Sequence, residues 1–255
     1  MVDLHSHIIN EIDDGSRSLQ ESINIINNAY INGVTDIVLT PHYIEGSSYN
    51  ANNKLKRKKL ELIKKEIKKK KININLYLGN EVMITPDMLK LIENDEISVI
   101  NDTKYILFEL PMNDIPNYIE DLIFELKSAG ITPIIAHPER YMQIKEDYTK
   151  AFRWIELGAL LQSNLGSLYG KYGKEAKKTI HKLLKRHAIS FLSSDIHHDN
   201  HTTYSRIDSL KKELNKKYGI NYTNEIMNEN GLKVINNENV EVNIINKKSF
   251  LFFRK

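Results

Sequence analysis

Short apolar runs rich in β-branched residues return along this chain with helix-like stretches between them, and that alternation restricts the fold more than any other feature of the sequence. Strand-like runs fall near residues 2–7, 35–40, 74–79, 104–109, 131–136, 158–163 and 189–194. Strands that alternate with helices argue for a parallel α/β fold. Seven of them at this spacing predict a distorted seven-stranded, TIM-like (β/α)7 barrel or a strongly curved sheet. The first helix has a legible start and stop. Ser18-Leu19-Gln20-Glu21 reads as a capping box, and Ile23, Ile25 and Ile26 begin an apolar face. Asn32-Gly33 ends the helix, because glycine takes the left-handed conformation readily. No internal repeat or Pro- or Gly-rich linker divides the sequence, so the expectation is a single domain over residues 1–255.

Charge and composition exclude several classes. Lys plus Arg total 36 and Asp plus Glu total 33, a net charge of +3 that gives no whole-protein case for nucleic-acid binding. No apolar run reaches membrane-spanning length, and the first residues lack the basic-then-apolar order of a signal peptide, so a cytoplasmic location is expected. There is no cysteine, which removes disulfides, thiolate metal sites and a cysteine nucleophile. One segment is compositionally odd: Lys54 to Lys71 holds eleven basic residues against Glu61 and Glu66. Leu55, Leu60, Ile63 and Ile67 give it a helical apolar stripe, and it reads first as a solvated helix face. The competing reading is a docking surface for an acidic or phosphorylated partner.

The chemistry sits at the strand ends. In an extended strand Asp3, His5 and His7 share a face, and two imidazoles from one strand can hold a divalent ion. His42 follows the second strand, Glu81 the third, Glu109 ends the fourth, His137 follows the fifth, and Asp195 and His197 follow the seventh. Parallel barrels place their active sites at these carboxyl ends. One such residue would read as an ordinary hydrogen-bonded side chain; six strand ends bearing one argue for a site. Asp13-Asp14-Gly15 is a turn by composition, and Asp14 is also a candidate ligand. Hard and borderline donors of this kind suit manganese, zinc or iron, and carboxylates can bridge ions in a cluster.

Taken in order, His-x-His, Thr-Pro-His, Gly-Asn-Glu, a strand-end Glu, His137-Pro138-Glu139-Arg140 and Ser194-Asp195-Ile196-His197 resemble the polymerase and histidinol phosphatase (PHP) superfamily over roughly residues 1 to 235. Asp3-Leu4-His5-Ser6-His7 with Asp13-Asp14-Gly15-Ser16 is similar to its bacterial capsule-biosynthesis tyrosine-protein phosphatases. The resemblance implies a distorted seven-stranded barrel and a manganese-type cluster of two or three ions. Its ligands would be His5, His7, Asp14, His42, Glu81, Glu109, His137, Asp195 and His197. It implies hydrolysis of phosphotyrosine on a capsule or exopolysaccharide tyrosine kinase, the expected partner. Arg140 matches the phosphate-binding arginine of the family, and Arg206 is the nearest candidate for a second one. Asp14 counts with both arginines among the expected catalytic residues. His198 and His201 read as exposed loop residues.

The implied reaction has a physical basis. A phosphate monoester repels nucleophiles by its own charge, and divalent ions neutralise it while lowering the pKa of water towards ~7. An arginine can hold two phosphoryl oxygens in a planar fork. A small-molecule phosphatase of histidinol-phosphate type would share the ligands. A phosphodiesterase fits the near-neutral charge less well, and a non-catalytic interaction module fits the full ligand set less well.

Overall fold

The computed structural model describes residues 1–199 and 202–245, so His201 and the last ten residues of the expected 1–255 domain lie outside the described residues. Among the described residues nine strands, all paired in parallel, form two sheets. The first has the order β1 (Val2–Asp3), β2 (Asp36–Leu39), β4 (Asn75–Leu78). The second runs β3 (His42–Tyr43), β5 (Glu81–Met83), β6 (Tyr105–Glu109), β7 (Thr132–Ala136), β8 (Leu160–Asn164), β9 (Phe191–Ser193). The α/β class with parallel strands is therefore as expected, but among the described residues the strands do not form one closed seven-stranded sheet.

The physical reason lies at two interruptions. β2 leads into β3 across Thr40-Pro41, where proline has no N–H to give the ladder. β4 leads into β5 across Gly79-Asn80. Gly79 N still donates to Leu39 O (2.9 Å) and Glu81 N to Pro41 O (3.2 Å), so adjacent segments stay side by side through the break. The first expected run, 2–7, is regular only over Val2–Asp3. Beyond it an isolated parallel bridge pairs Ser6 with Ile196, and His7 N donates to Ile196 O (2.8 Å).

Alternate residues of the strands separate into two clusters, as the two-residue period requires. Val2, Leu4, Val38, Leu107, Ile134, Leu160 and Phe191 pack together, with Val234 and Ile235 of the helix Asn230–Ile235 against them. Their neighbours Ile37, Leu39, Ile106, Phe108, Ile135, Leu161 and Leu192 pack in the larger cluster with the helices. Each such burial stabilises by about 1.5–3 kcal/mol, which fixes the strand register and with it the direction of every strand-end side chain.

The helix Leu19–Ile31 begins and ends where its signals place it. Ser18 Oγ accepts from Glu21 N (3.1 Å), and Gly33 has φ 79°. The return bond of the box is displaced: Glu21 Oε2 accepts from Arg17 N (2.8 Å), not from Ser18. The basic segment is the helix Asn53–Lys69. It buries Leu60, Ile63 and Ile67, whereas Leu55, expected on the same stripe, is exposed. Arg57 pairs with Asp95 (3.3 Å), Lys59 with Glu11 (3.1 Å), Lys64 with Glu61 (3.2 Å) and Lys69 with Glu66 (2.6 Å). Cations already matched by neighbouring acids are what a solvated face shows.

Lys56 departs from that pattern. It is fully buried, and its Nζ donates to Asn80 Oδ1 (2.5 Å). That amide oxygen also accepts from Ser98 N (2.8 Å), and the amide nitrogen donates to Pro41 O (2.8 Å). Burial pushes the Lys56 ammonium down to about 7, partly opposed by Asp95. An unfolded lysine titrates near ~10.4, so between those values the unfolded chain binds more protons and stability rises with pH. Lys56→Met removes this titration. The unfolding free energy of the parent minus that of the variant is expected to climb between pH 7 and ~10, by on the order of a few kcal/mol. Urea unfolding at a series of pH values measures it, and a flat difference would show that the ammonium is not desolvated.

Candidate metal centre

The strand ends bring the expected ligands together. His5 Nε2 and His7 Nε2 lie 3.1 Å apart, and each is 3.1 Å from Glu81 Oε2 and 3.6 Å from Asp195 Oδ1. His42 Nδ1 is 3.2 Å from Glu81 and 3.1 Å from Glu109, while His137 Nε2 is 2.9 Å from Glu81 Oε1. Asp14, half exposed in its loop, sits 3.7 Å from both His42 Nε2 and His197 Nε2. Three sets each bring one ligand atom per residue within 4.8 Å of one another: His5, His7 and Glu81; His42, Glu81 and Glu109; and His7, Asp14, His42 and His197. Asp3 does not join them. Its carboxylate accepts from Ser194 N (3.0 Å), His5 N (3.3 Å) and the Tyr204 hydroxyl (2.7 Å), bracing β1 against the segment after β9.

The hydrogen bonds fix which ring nitrogens carry protons. Asp195 Oδ2 can only accept, so the Asn164 amide nitrogen faces it (2.6 Å). Asn164 Oδ1 then accepts from Gln162 Nε2 (2.9 Å), which leaves Gln162 Oε1 to accept from His5 Nδ1 (2.7 Å). Asp13 Oδ2 accepts from His7 Nδ1 in the same way (2.7 Å). In their neutral forms both imidazoles therefore turn their Nε2 lone pairs to each other and to a carboxylate at 3.1 Å. Acceptors so close repel unless a cation lies among them, and nitrogen and carboxylate donors in this number suit a divalent ion.

Electrostatics agree. Burial alone would lower His5, but Glu81 and Asp195 outweigh it and raise it to about 9. Burial opposes ionisation of His7 as well, and Asp13 and Glu81 carry it well above its ordinary value. Glu81 would be raised by burial, yet His5 and His42 hold it well below the carboxylate range. His197 goes the other way, down to about 3, through burial and the charge of His7 stacked 4.0 Å away. His5 and His7 are thus held protonated by the carboxylates beside them, the sign of an excess of negative charge around Glu81.

Local backbone serves the same end. His137 (φ 34°) and Asp195 (φ 49°) are left-handed without being glycine, a strain of ~1–3 kcal/mol each that functional sites tend to hold. Gly15 lies so close to His7 that a Cβ would fall 2.1 Å from His7 O, so the turn carrying Asp13 and Asp14 admits no side chain there. The buried Tyr141 hydroxyl donates to Ala136 O (2.7 Å) and accepts from Leu110 N (2.9 Å), clamping the ends of β6 and β7 beside Glu109 and His137.

The two arginines part company. Arg140 reaches the cavity: Nη1 donates to Asp195 Oδ2 (3.1 Å), and the guanidinium lies 4.4 Å from the Tyr172 ring. Its neighbour Glu139 turns inward to Ser163, Asn164 and Ser167 and is no partner for it. Arg206 is not brought to the cavity. It is exposed, over the Tyr169 ring at 4.7 Å, because Tyr204 in the same turn points inward to Asp3. His198, expected exposed, is partly buried with Nδ1 3.4 Å from Glu21. Sequence reasoning missed Gln162, Asn164, Lys171 and Tyr172. For the first two a signal existed, polar residues inside an apolar strand run; Lys171 and Tyr172 carried none.

A cavity of about 220 Å³ contains Asp14, His42, Glu81, Glu109, His137, Asp195 and His197 in its walls, with Arg140, Lys171 and Tyr172. The family model of capsular polysaccharide synthesis proteins CpsB/CapC matches residues 1–236. The CapC protein of Staphylococcus aureus is 37% identical over 246 residues, covering 96% of this chain and 94% of its own. Tyrosine-protein phosphatase YwqE of Bacillus subtilis is 33% identical over 217 residues, 84% of this chain and 85% of its own. A crystal structure from the pair YwqE of Bacillus subtilis and CpsB of Streptococcus pneumoniae, described as metal-dependent tyrosine phosphatases, superposes with a TM-score of 0.89 at 30% identity, covering 95% of this chain and 97% of the other. The fold is shared more distantly with histidinol phosphate phosphatase of Lactococcus lactis (TM-score 0.54, 14% identity, 83% of this chain and 93% of the other).

Filling the centre with metal has to displace protons. His5 titrates at about 9, so below that value its metal-free form holds a proton that a metal ion must expel. Manganese binding to chelator-stripped protein is expected to release protons and to tighten as pH rises from about 6.5 towards 9. Calorimetry in buffers of different ionisation enthalpy reads the release directly. Binding without proton release, at constant affinity across that range, would remove the histidines from the centre.

Proposed function

This chain belongs to the CpsB/CapC family of capsular polysaccharide synthesis proteins, and from that premise we propose that it is a metal-dependent protein-tyrosine phosphatase. The observation that carries the reading is the pair of imidazole Nε2 atoms held against Glu81, a carboxylate of the cavity wall, beside an arginine that lines the same cavity. The substrate we infer is phosphotyrosine on a tyrosine kinase of capsule or exopolysaccharide synthesis, in the cytoplasm. In the same reading the two sheets are the seven staves of one distorted barrel, in a single domain. The centre holds two or three ions, manganese in preference to iron or zinc, on His5, His7, Asp14, His42, Glu81, Glu109, His137, Asp195 and His197.

Divalent ions bound there supply neutralisation of the phosphoryl charge and activation of water. The chain's own residues do the rest. Asp13 and Gln162 keep the protons of His7 and His5 on Nδ1, so that both Nε2 atoms remain free to bind an ion beside Glu81. Asp195 and Tyr172 hold the Arg140 plane at the cavity wall, where its fork can take two phosphoryl oxygens. A tyrosine leaving group has a pKa of about 10, so its oxygen needs less protonation than an alkyl ester would. Asp14, at the open side, is the carboxylate best placed to exchange a proton with solvent.

Two experiments follow. Phosphotyrosyl peptide, histidinol phosphate and a phosphodiester, compared side by side, should rank with the peptide first, and chelation should abolish turnover; chelator-resistant activity, or a preference for histidinol phosphate, would refute the reading. Arg140→Ala should lose about 2–4 kcal/mol of transition-state stabilisation with metal content unchanged, and Arg140→Lys should recover only part of it. Steady-state kinetics and metal stoichiometry on the same preparations decide: near-parental kcat/KM would remove Arg140 from the chemistry, and lost metal would make it a support for Asp195.

A further inference from the structure

The cavity is rich in acids and imidazoles and poor in fixed positive charge. Arg140 is already compensated by Asp195 at 3.1 Å. Lys171 also belongs to the cavity wall, and among the described residues no carboxylate lies within 4.0 Å of its Nζ. Its Nζ stands 5.2 Å from the Tyr172 ring, the same ring that carries the Arg140 guanidinium. Tyr172 is itself tied to the centre, its hydroxyl donating to Asp195 Oδ2 (3.2 Å).

This placement is built into the backbone. The helix Leu165–Tyr169 leaves β8 directly after Asn164, and Lys171 N donates back to Gly166 O (3.0 Å). A Cβ on Gly166 would fall 2.9 Å from Tyr172 Cε2 and 3.1 Å from Lys171 Cδ. The bare glycine is what lets both side chains lie flat against the turn and face the cavity. Lys171 is exposed at the rim, with its stem packed beside Gly166.

We propose that Lys171 is the second cation that grips the phosphoryl group, in the role the sequence suggested for Arg206. A phosphate monoester near neutral pH carries ~1.5–2 negative charges on three terminal oxygens, and one guanidinium fork engages two of them. An ammonium is a compact point charge with three donors, suited to a remaining oxygen at the rim. Arg206, on the Tyr169 ring and outside the cavity wall, is not placed to do this. The inference rests on the phosphomonoesterase reading above, but its test does not depend on turnover.

The test is calorimetric titration of inorganic phosphate into manganese-loaded protein, with metal stoichiometry and circular dichroism checked for each variant. A charge-assisted hydrogen bond of ~1.5–3 kcal/mol predicts that Lys171→Ala weakens phosphate binding about tenfold or more. Lys171→Arg should return it to within a few fold of the parent, and Lys171→Gln, which keeps bulk without charge, should match Lys171→Ala. Unchanged affinity in Lys171→Ala, or a loss confined to Arg206→Ala, would overturn the proposal. So would loss of metal in both neutral variants, because Lys171 would then be structural. Phosphate held through Lys171 by a protein inert towards phosphotyrosine would keep this inference and sink the functional reading. Phosphotyrosine turnover indifferent to Lys171 would do the reverse.

Discussion

Two imidazole lone pairs and a carboxylate oxygen meeting at 3.1 Å form an arrangement that only a cation can make favourable, and much of the surrounding structure exists to hold it. Left to themselves the rings would rotate or exchange tautomers. They are prevented by a one-way chain of donors from Gln162 to Asp195 and by Asp13, which is held down to about 2 by His7 and by the backbone N–H groups of His42 and Gly15, against the effect of burial. Because each donor in that chain has one possible acceptor, the orientation is determined from the carboxylate outwards. β8, which carries none of the candidate ligands, holds His5 through Gln162 and Asp195 through Asn164.

The supports around it are costly on their own terms. Asp3 is a fully buried carboxylate, raised by desolvation although Ser194 and Tyr204 hydrogen-bond to it. Lys56 is a buried ammonium beneath Asn80, next to Glu81. Unpaired buried charges are among the most destabilising features a fold can carry. Here each meets polar atoms whose backbone lies within a residue or two of a ligand, so removing one would shift a ligand as well as expose a defect.

What the sequence disclosed and what it concealed divide along physical lines. His5, His42, Glu81, Glu109, His137 and Asp195 stood out because ionisable groups at the ends of apolar runs are conspicuous, and the parallel fold converts that position into convergence. Pro41, just beyond the second expected run, has no N–H for the ladder, and a separate two-residue strand, His42–Tyr43, follows it. Gln162 and Asn164 were concealed because neutral amides have no motif, and the partner that gives Gln162 its meaning is 157 residues away. Lys171 was lost among 36 basic residues, and Lys56 inside a run of eleven, since burial is not a property of composition. Arg206 looked right by distance along the chain, and the structure sets it over the Tyr169 ring and outside the cavity lining, with Tyr204 turning inward two residues earlier.

The bridge between Ser6 and Ile196, with Ser194 N on Asp3 across 191 residues of sequence, has a consequence for how the molecule comes into being. His5 and His7 are made long before Ser194 and Ile196, the partners that lock the end of their strand. Contacts of such long sequence separation close slowly, because loop entropy is spent before they return anything. A nascent chain therefore holds these two histidines without the partners of their strand until Ser194 and Ile196 have been made. The arrangement around His5 and His7 is therefore completed late, when the segment after β9 meets the strand that carries them.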